Sequence, residues 1–556
     1  MIKVCLIVIL VVLTITPIYI LFQKSLFTSE IDGSLGVLTL DHYKQIFVGG
    51  TFFGSLINTF LFALGSAIVA IFLGTIQAWI VERTNTPMKT ISYVGAILSL
   101  GIPYILYTVA WLLVFSKSGP VNSMLMTVFS VDKPLLNIYS LPGMILIEGF
   151  VFSPMAFLLL AASFKNVDSS LEEAARMSGA GHLSTIFNIS LKLVLPAVLA
   201  MALLIFIRSF EAFEIPALVG LPGDTYVLTT RIFLDIHGSY PPDYGRASSF
   251  SIVLIFMVLF LLMIYNKITQ QAGKYRTITG KGFRPNLIDL GKWRFLTSAI
   301  IILNFFLILV VPLSMVVWVS LLPFVQLPSL EALSSITFKN YVSAIGYPEY
   351  GKAIRNTIVL AVGTATIVMG ITAFSAWFSA RRLNGGKVLD QLSTLPLIFP
   401  GLVLAVAVME IYVTVPLPIY GTLWILLIGF VTKYLPYGMR YNYSGILQIH
   451  SELEESAQIS GASPLNTFRV IILPLLSPTF WAGWIFVLLM TARELALPVL
   501  LSSPQSRVVA VQIYDLWVNG QMTELAAFGI VWSSIMIFIA FVFFLLARRF
   551  GTSIQS

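Results

Sequence analysis

The chain has 556 residues, 58% hydrophobic and only 10% charged, with a formal net charge of +8 and a mean hydropathy of +0.92. A soluble globular chain carries about 45–50% apolar and about 25% charged residues, so that class is excluded and a polytopic membrane protein is the starting point. The single cysteine, Cys5, rules out an intramolecular disulfide framework, and four scattered histidines supply no Cys/His metal site.

Long apolar runs bounded by charge, Pro or Gly predict twelve spans, near 4–22, 56–80, 91–116, 141–162, 196–215, 249–266, 296–321, 356–379, 394–415, 421–440, 480–501 and 526–547. The first run follows Lys3, is long for a signal peptide and lacks a small-residue cleavage site, so it reads as a retained span. Placing the N-terminus inside puts 20 of the 33 Lys and Arg residues in cytoplasmic segments, which sets both termini in the cytoplasm. The densest basic run, Lys267–Arg294, reads as a linker beside anionic head groups. The positive charge follows from topology and does not imply nucleic-acid binding.

The chain repeats itself. Leu171-Glu-Glu-Ala-Ala-Arg-Met-Ser-Gly-Ala180 matches Leu453-Glu-Glu-Ser-Ala-Gln-Ile-Ser-Gly-Ala462 at an offset of 282, and the register holds through Pro196/Pro478 and Pro216/Pro498. Upstream, Asn58-Thr59 and Ala78-Trp79 match Asn356-Thr357 and Ala376-Trp377 at an offset of 298. The expected fold is an all-α membrane protein of about twelve helices, built as two parallel six-helix repeats. The expected organisation is a first half over 1–266, a basic cytoplasmic linker over 267–294 and a second half over 295–556.

The best-matched block is a cytoplasmic loop of each half, over 165–192 and 447–474. Ser169-x-x-Glu172 and Ser451-x-x-Glu454 each have the form of a capping box, and Gly179 and Gly461 are placed to end the short helix that follows. An amphipathic helix lying on the membrane is the plain alternative, and repetition at one position argues against it. Ionisable groups at membrane depth come next: Arg208, Glu211 and Glu214 after the first loop, Arg493 and Glu494 at the matching stretch of the second. Glu211 aligns with Arg493, which allows an ion pair across the halves, either as a structural lock or as part of a gate or translocation path. Glu148, Glu410 and Lys433 also fall near or within spans, and one sequence does not say what they meet. The outer segments Leu221–Ser248 and Leu501–Leu525 carry mixed charges, among them Arg507, Asp515 and Glu524, and read equally as connectors or as docking loops.

The repeated loop resembles the EAA loop of binding-protein-dependent ABC importer permeases, roughly E-A-A-x-x-x-G, nine residues, then I-x-L-P. The second copy reads Glu455-Ser456-Ala457, Gly461, Ile471-x-Leu473-Pro474; the first reads Glu173-Ala174-Ala175, Gly179, Ile189-x-Leu191-Lys192, with Lys192 where the family has proline. The resemblance covers nearly the whole chain. It implies a fused, two-unit permease in a bacterial inner membrane, with Glu172–Ala180 and Glu454–Ala462 as helices that seat on two copies of an ATPase subunit. It also implies a periplasmic or lipid-anchored substrate-binding protein as partner. ATP and Mg would belong to the ATPase, and the chain itself needs no cofactor. The nearest phosphate-loop pattern, Gly273 to Gly280-Lys281-Gly282, has the wrong spacing and no hydroxyl after the lysine, so the chain is expected not to be an enzyme.

Among such permeases the segment Arg208–Pro216 looks like the ferric-iron uptake group; thiamine, phosphonate and polyamine carriers share the architecture. A twelve-span secondary transporter is the competing class, but the loop Val81–Lys89 lacks the Gly/Asp/Arg signature of that group. A non-transporting scaffold would leave the intramembrane charges without a role.

Overall fold

The structure is a computed structural model, and it describes residues 2–29, 35–165, 177–179, 181, 188–189, 191–272, 287–414 and 418–549. The helices used below are α1 (Ile2–Leu26), α2 (Thr51–Arg83), α3 (Lys89–Leu100), α4 (Tyr104–Phe115), α5 (Leu141–Lys165), α6 (Leu191–Phe210), α7 (Leu228–His237) and α8 (Tyr244–Ala272) of the first copy. The second copy supplies α9 (Gly291–Ser320), α10 (Pro348–Ala380), α11 (Gly386–Ile398), α12 (Gly401–Thr414), α13 (Leu423–Leu447), α14 (Glu452–Ile459), α15 (Leu473–Ala492), α16 (Val509–Val518) and α17 (Met522–Arg549).

The repeat read from the sequence is a repeat of helices. The pairs α5/α13 and α6/α15 begin and end at the same offset of 282, and α2 and α10 are each 33 residues long. Lys192 occupies the slot of Pro474 at the start of α6 without altering that register.

Among the described residues, nine helices are long and apolar enough to cross a membrane, or eleven if each of two bent pairs counts as one span. The expected continuous spans 91–116 and 394–415 are these pairs: α3 and α4 turn by 109°, α11 and α12 by 107°. Gly101-Ile-Pro103 and Phe399-Pro400-Gly401 lie at the breaks, where proline removes an amide donor and steers its predecessor away from helix. Each pair is nonetheless one crossing. In the first copy, Gly65 abuts Ile145, Gly149 abuts Val69 and Gly74 abuts Ala156, so α2 and α5 run parallel and the chain between them must return across the membrane. In the second, Gly363 faces Leu427 and Gly438 faces Val368 and Thr372, so α10 and α13 are parallel as well. The expected span 421–440 is α13, long enough at 25 residues but too polar to count as apolar, since it carries Lys433, Arg440 and Asn442. It packs on both α10 and α15, and Lys433 and Asn442 meet partners while Arg440 stays exposed.

The chain folds as two compact units, residues 1–49, 231–255 and 339–556 in one, 50–230 and 256–338 in the other. Neither coincides with a repeat. In the first unit α1 leaves its own copy and packs on α11 and α12; in the second unit α9 packs on α3 and α4. The core of each unit is the matching trio, α10–α13–α15 in one and α2–α5–α6 in the other.

The matched Asn-Thr pairs act alike. Asn58 Nδ2 donates to the Tyr226 carbonyl and Thr59 Oγ1 accepts from the Leu228 amide; Asn356 Nδ2 donates to the Gln505 and Arg507 carbonyls and Thr357 Oγ1 accepts from Val509. Each pair thereby satisfies backbone groups at the start of a short helix, α7 or α16, from the long helix beside it.

Candidate functional site: the repeated-loop helix and the charged helix breaks

The second-copy loop forms α14, with Glu452, Glu454 and Glu455 in its first turn, where the helix dipole favours negative charge. The expected capping box is absent there. Ser451 has helical backbone angles and makes no side-chain cap, and the Glu454 carboxylate is engaged elsewhere. Trp377 Nε1 donates to Glu454 Oε2 at 3.0 Å, Arg381 Nε donates to Oε1 at 2.6 Å, and Arg381 Nη2 donates to the Ile449 carbonyl at 2.7 Å. A tertiary ion pair has displaced a local cap. Glu454 is only 6% exposed, whereas Leu453, Glu455, Ser456 and Ile459 face outward and Ala457 is half-buried. The helix therefore offers a mixed acidic and apolar surface while one glutamate ties it down.

Gly461 ends the helix at φ +83°, with its amide donating to Gln458 and the Ala462 amide to Ala457. This is a Schellman motif, and it requires a left-handed residue after the last turn. Gly179, at the same repeat position, has φ +86°. The other residues expected to make contacts from the first loop, Glu172, Glu173, Ala174 and Ala175, lie outside the described residues.

The membrane-depth charges gather where helices stop. α6 ends at Phe210 and α15 at Ala492, and in both copies the next few residues leave the helix before it restarts at Glu214 or Pro498. Arg208 donates to Glu211 at 2.6 Å across this end, and Glu148, 4% exposed, faces Ser209 and the carboxylate of Glu214. In the second copy the Glu494 carboxylate accepts from Lys433 and, at 3.1 Å, from the Tyr434 hydroxyl. Gly401, at the start of α12, lets Lys433 approach: a Cβ there would stand 2.6 Å from its Nζ. Arg493 donates to the Met490 sulfur at 2.8 Å. Glu410, unassigned in the sequence, faces Lys24 of α1 at 3.6 Å, both side chains about 5% exposed. The segments 221–248 and 501–525 hold ion pairs of their own, Asp235 with Arg246 and, at 3.2 Å, Arg507 with Asp515. No cluster of three His, Cys, Asp or Glu suited to a metal is found among the described residues.

Residues 70–270 and again 372–555 match the family described as binding-protein-dependent transport system inner membrane component. The chain belongs to this family. It is an ABC importer permease carrying the family domain twice, a multi-pass protein of the inner membrane. Among curated proteins the permease is 26% identical over 481 residues to a ferric transport system permease protein of Actinobacillus pleuropneumoniae, covering 86% of this chain and about two thirds (68%) of that one. It is 23% identical to an Fe(3+)-transport system permease protein of Haemophilus influenzae, over 87% of this chain and 88% of the other. A Salmonella typhi protein assigned to a 2-aminoethylphosphonate transport system is 26% identical over 43% of this chain and 83% of its own length.

Proposed function

We propose that this permease passes ferric iron, delivered by a substrate-binding protein outside, across the membrane by alternating access, with both termini in the cytoplasm. Two copies of an ATPase subunit clamp the two repeated loops, hydrolyse Mg-ATP and rock one packing of the helices into another. The observation that carries this reading is α14 itself: a short, acid-led helix with exposed Leu453, Glu455 and Ile459 in the positive-inside cytoplasmic segment, ended by a glycine that recurs in the other copy. Ferric iron is favoured by the named activities of the relatives that span most of the chain. Arg208, Glu211, Glu214, Arg493 and Glu494 line the path or its gate at the two helix breaks.

The test is purification from native membranes in mild detergent, identification of co-purifying proteins by mass spectrometry, and uptake of radiolabelled ferric iron by the reconstituted complex. A stoichiometric ATPase and ATP-dependent iron uptake are expected. Uptake of a phosphonate instead, which Arg208, Lys433 and Arg493 would suit, would replace the substrate; gradient-driven uptake by the chain alone would overturn the mechanism.

A further inference from the structure

We propose that Trp377, Arg381 and Glu454 form a positioning clamp that makes α14 and α10 move as one body, carrying displacement of the cytoplasmic helix along α10 to a cleft at its other end. The inference rests on the reading of α14 as the helix driven by the ATPase, and adds how its motion leaves the loop.

Three observations support it. The clamp is directional and buried: an indole N–H and a guanidinium N–H hold the two oxygens of one carboxylate, and the same guanidinium holds the Ile449 carbonyl just before α14. Charge-assisted hydrogen bonds shielded from water are the strong ones. Around them Trp377, Ile449, Phe468 and Ile472 pack in one apolar cluster, so the clamp is seated on both sides of the loop.

α10 is suited to transmit. Its only proline, Pro348, is at its first position, whereas α13 and α15 are interrupted by Pro436 and Pro478. Thirty-three residues make a rod of about 50 Å. At its far end Tyr347, Glu349, Tyr350 and Lys352 line an open cleft of about 850 Å³, with Asp515 and Glu524 on its other wall. The Tyr350 hydroxyl donates to Glu524 of α17 at 2.9 Å, so the cleft wall is itself tied to the rod. The sequence repeats the three clamp residue types at equivalent positions, Trp79, Arg83 and Glu172, and α2 is again 33 residues without an internal proline.

The test uses the assembled importer, this chain with the ATPase and binding protein that co-purify with it, in proteoliposomes, with ATP hydrolysis and solute uptake measured on the same vesicles. Glu454→Gln is expected to keep the ATPase bound and hydrolysing while uptake per ATP falls about tenfold, the scale set by one lost charge-assisted hydrogen bond. The exchange Arg381→Glu with Glu454→Arg is expected not to recover it, because the Trp377 N–H would then face a guanidinium and the Ile449 carbonyl a carboxylate. Unchanged uptake per ATP in Glu454→Gln would overturn the clamp. Should that variant fail to assemble, Trp377→Phe decides: it removes the indole donor along with part of the ring packed on Phe468, and normal coupling in it would overturn the proposal. A wild-type preparation without any ATPase would instead overturn the importer reading beneath it.

Discussion

Gly461 and Gly179 offer a calculation with few unknowns. At φ +83° and +86° an L-residue pays backbone strain, and a Cβ at either position would have no heavy atom of the described residues within 4 Å, so crowding adds nothing to that strain. Left-handed backbone costs an L-residue about 1–2 kcal/mol, with Asn and Asp at the low end. An aspartate at Gly461 also places negative charge at the C-terminal end of α14, against the dipole, for about 0.5 kcal/mol more. The total is about 1.5 kcal/mol per loop, roughly a tenfold loss of the seated helix, and about a hundredfold when both loops are changed. Uptake by cells expressing Gly179→Asp with Gly461→Asp should therefore fall about a hundredfold, each single Asp variant about tenfold, and Gly461→Asn, which pays the backbone cost without the charge, only about fivefold. A double variant transporting at the wild-type rate would refute the coupling role of these turns. Asn ranking below Asp would refute the energetic reasoning.

Other expectations follow from named contacts. Thr357→Ala or Asn356→Ala should leave buried backbone groups of the 505–509 segment unpaired, costing about 1–3 kcal/mol, read as faster hydrogen exchange across α16; Thr59→Ala should do the same at α7. Lys24→Met alone should lower the melting temperature of the detergent-solubilised protein sharply, because removing one member of a buried pair costs about 3–5 kcal/mol, and Lys24→Met with Glu410→Leu should recover most of it. Gly74→Val should separate α2 from α5, since a Cβ there would meet Ala156 Cβ at 2.5 Å and the Phe157 amide nitrogen at 2.8 Å; about 1–3 kcal/mol of overpacking is expected in the same melting assay. The purified chain without its partners should show no ATP hydrolysis above a buffer control.

Much of this architecture is legible in the residues because bilayer thickness leaves few ways to satisfy a backbone. Hydropathy finds the long helices, and the offset of 282 finds helices whose ends agree to the residue. Averaging over a window is also why Gly101–Pro103 and Phe399–Gly401 pass unnoticed within single spans. The Ser451-x-x-Glu454 pattern is local, and a local pattern loses when a buried tryptophan and arginine compete for the same carboxylate. The matched Ala78-Trp79 and Ala376-Trp377 do carry the missing signal, since a polar-tipped aromatic repeated at a helix end needs a partner. Pairings such as Lys24 with Glu410 depend on which copy α1 joins, and no spacing in the chain encodes that.

The exchange of leading helices has a consequence for biosynthesis. α1 leaves the ribosome well before α11, on which it packs, since α11 begins 360 residues after α1 ends. At about 5–20 residues per second α1 waits roughly 20–70 s in the bilayer before its neighbour exists. During that interval Lys24, two residues from the end of α1, is close enough to the interface for its ammonium to reach head groups. Only when Glu410 is threaded in does burying that charge become favourable, so α1 takes its final place after the second copy has entered the bilayer.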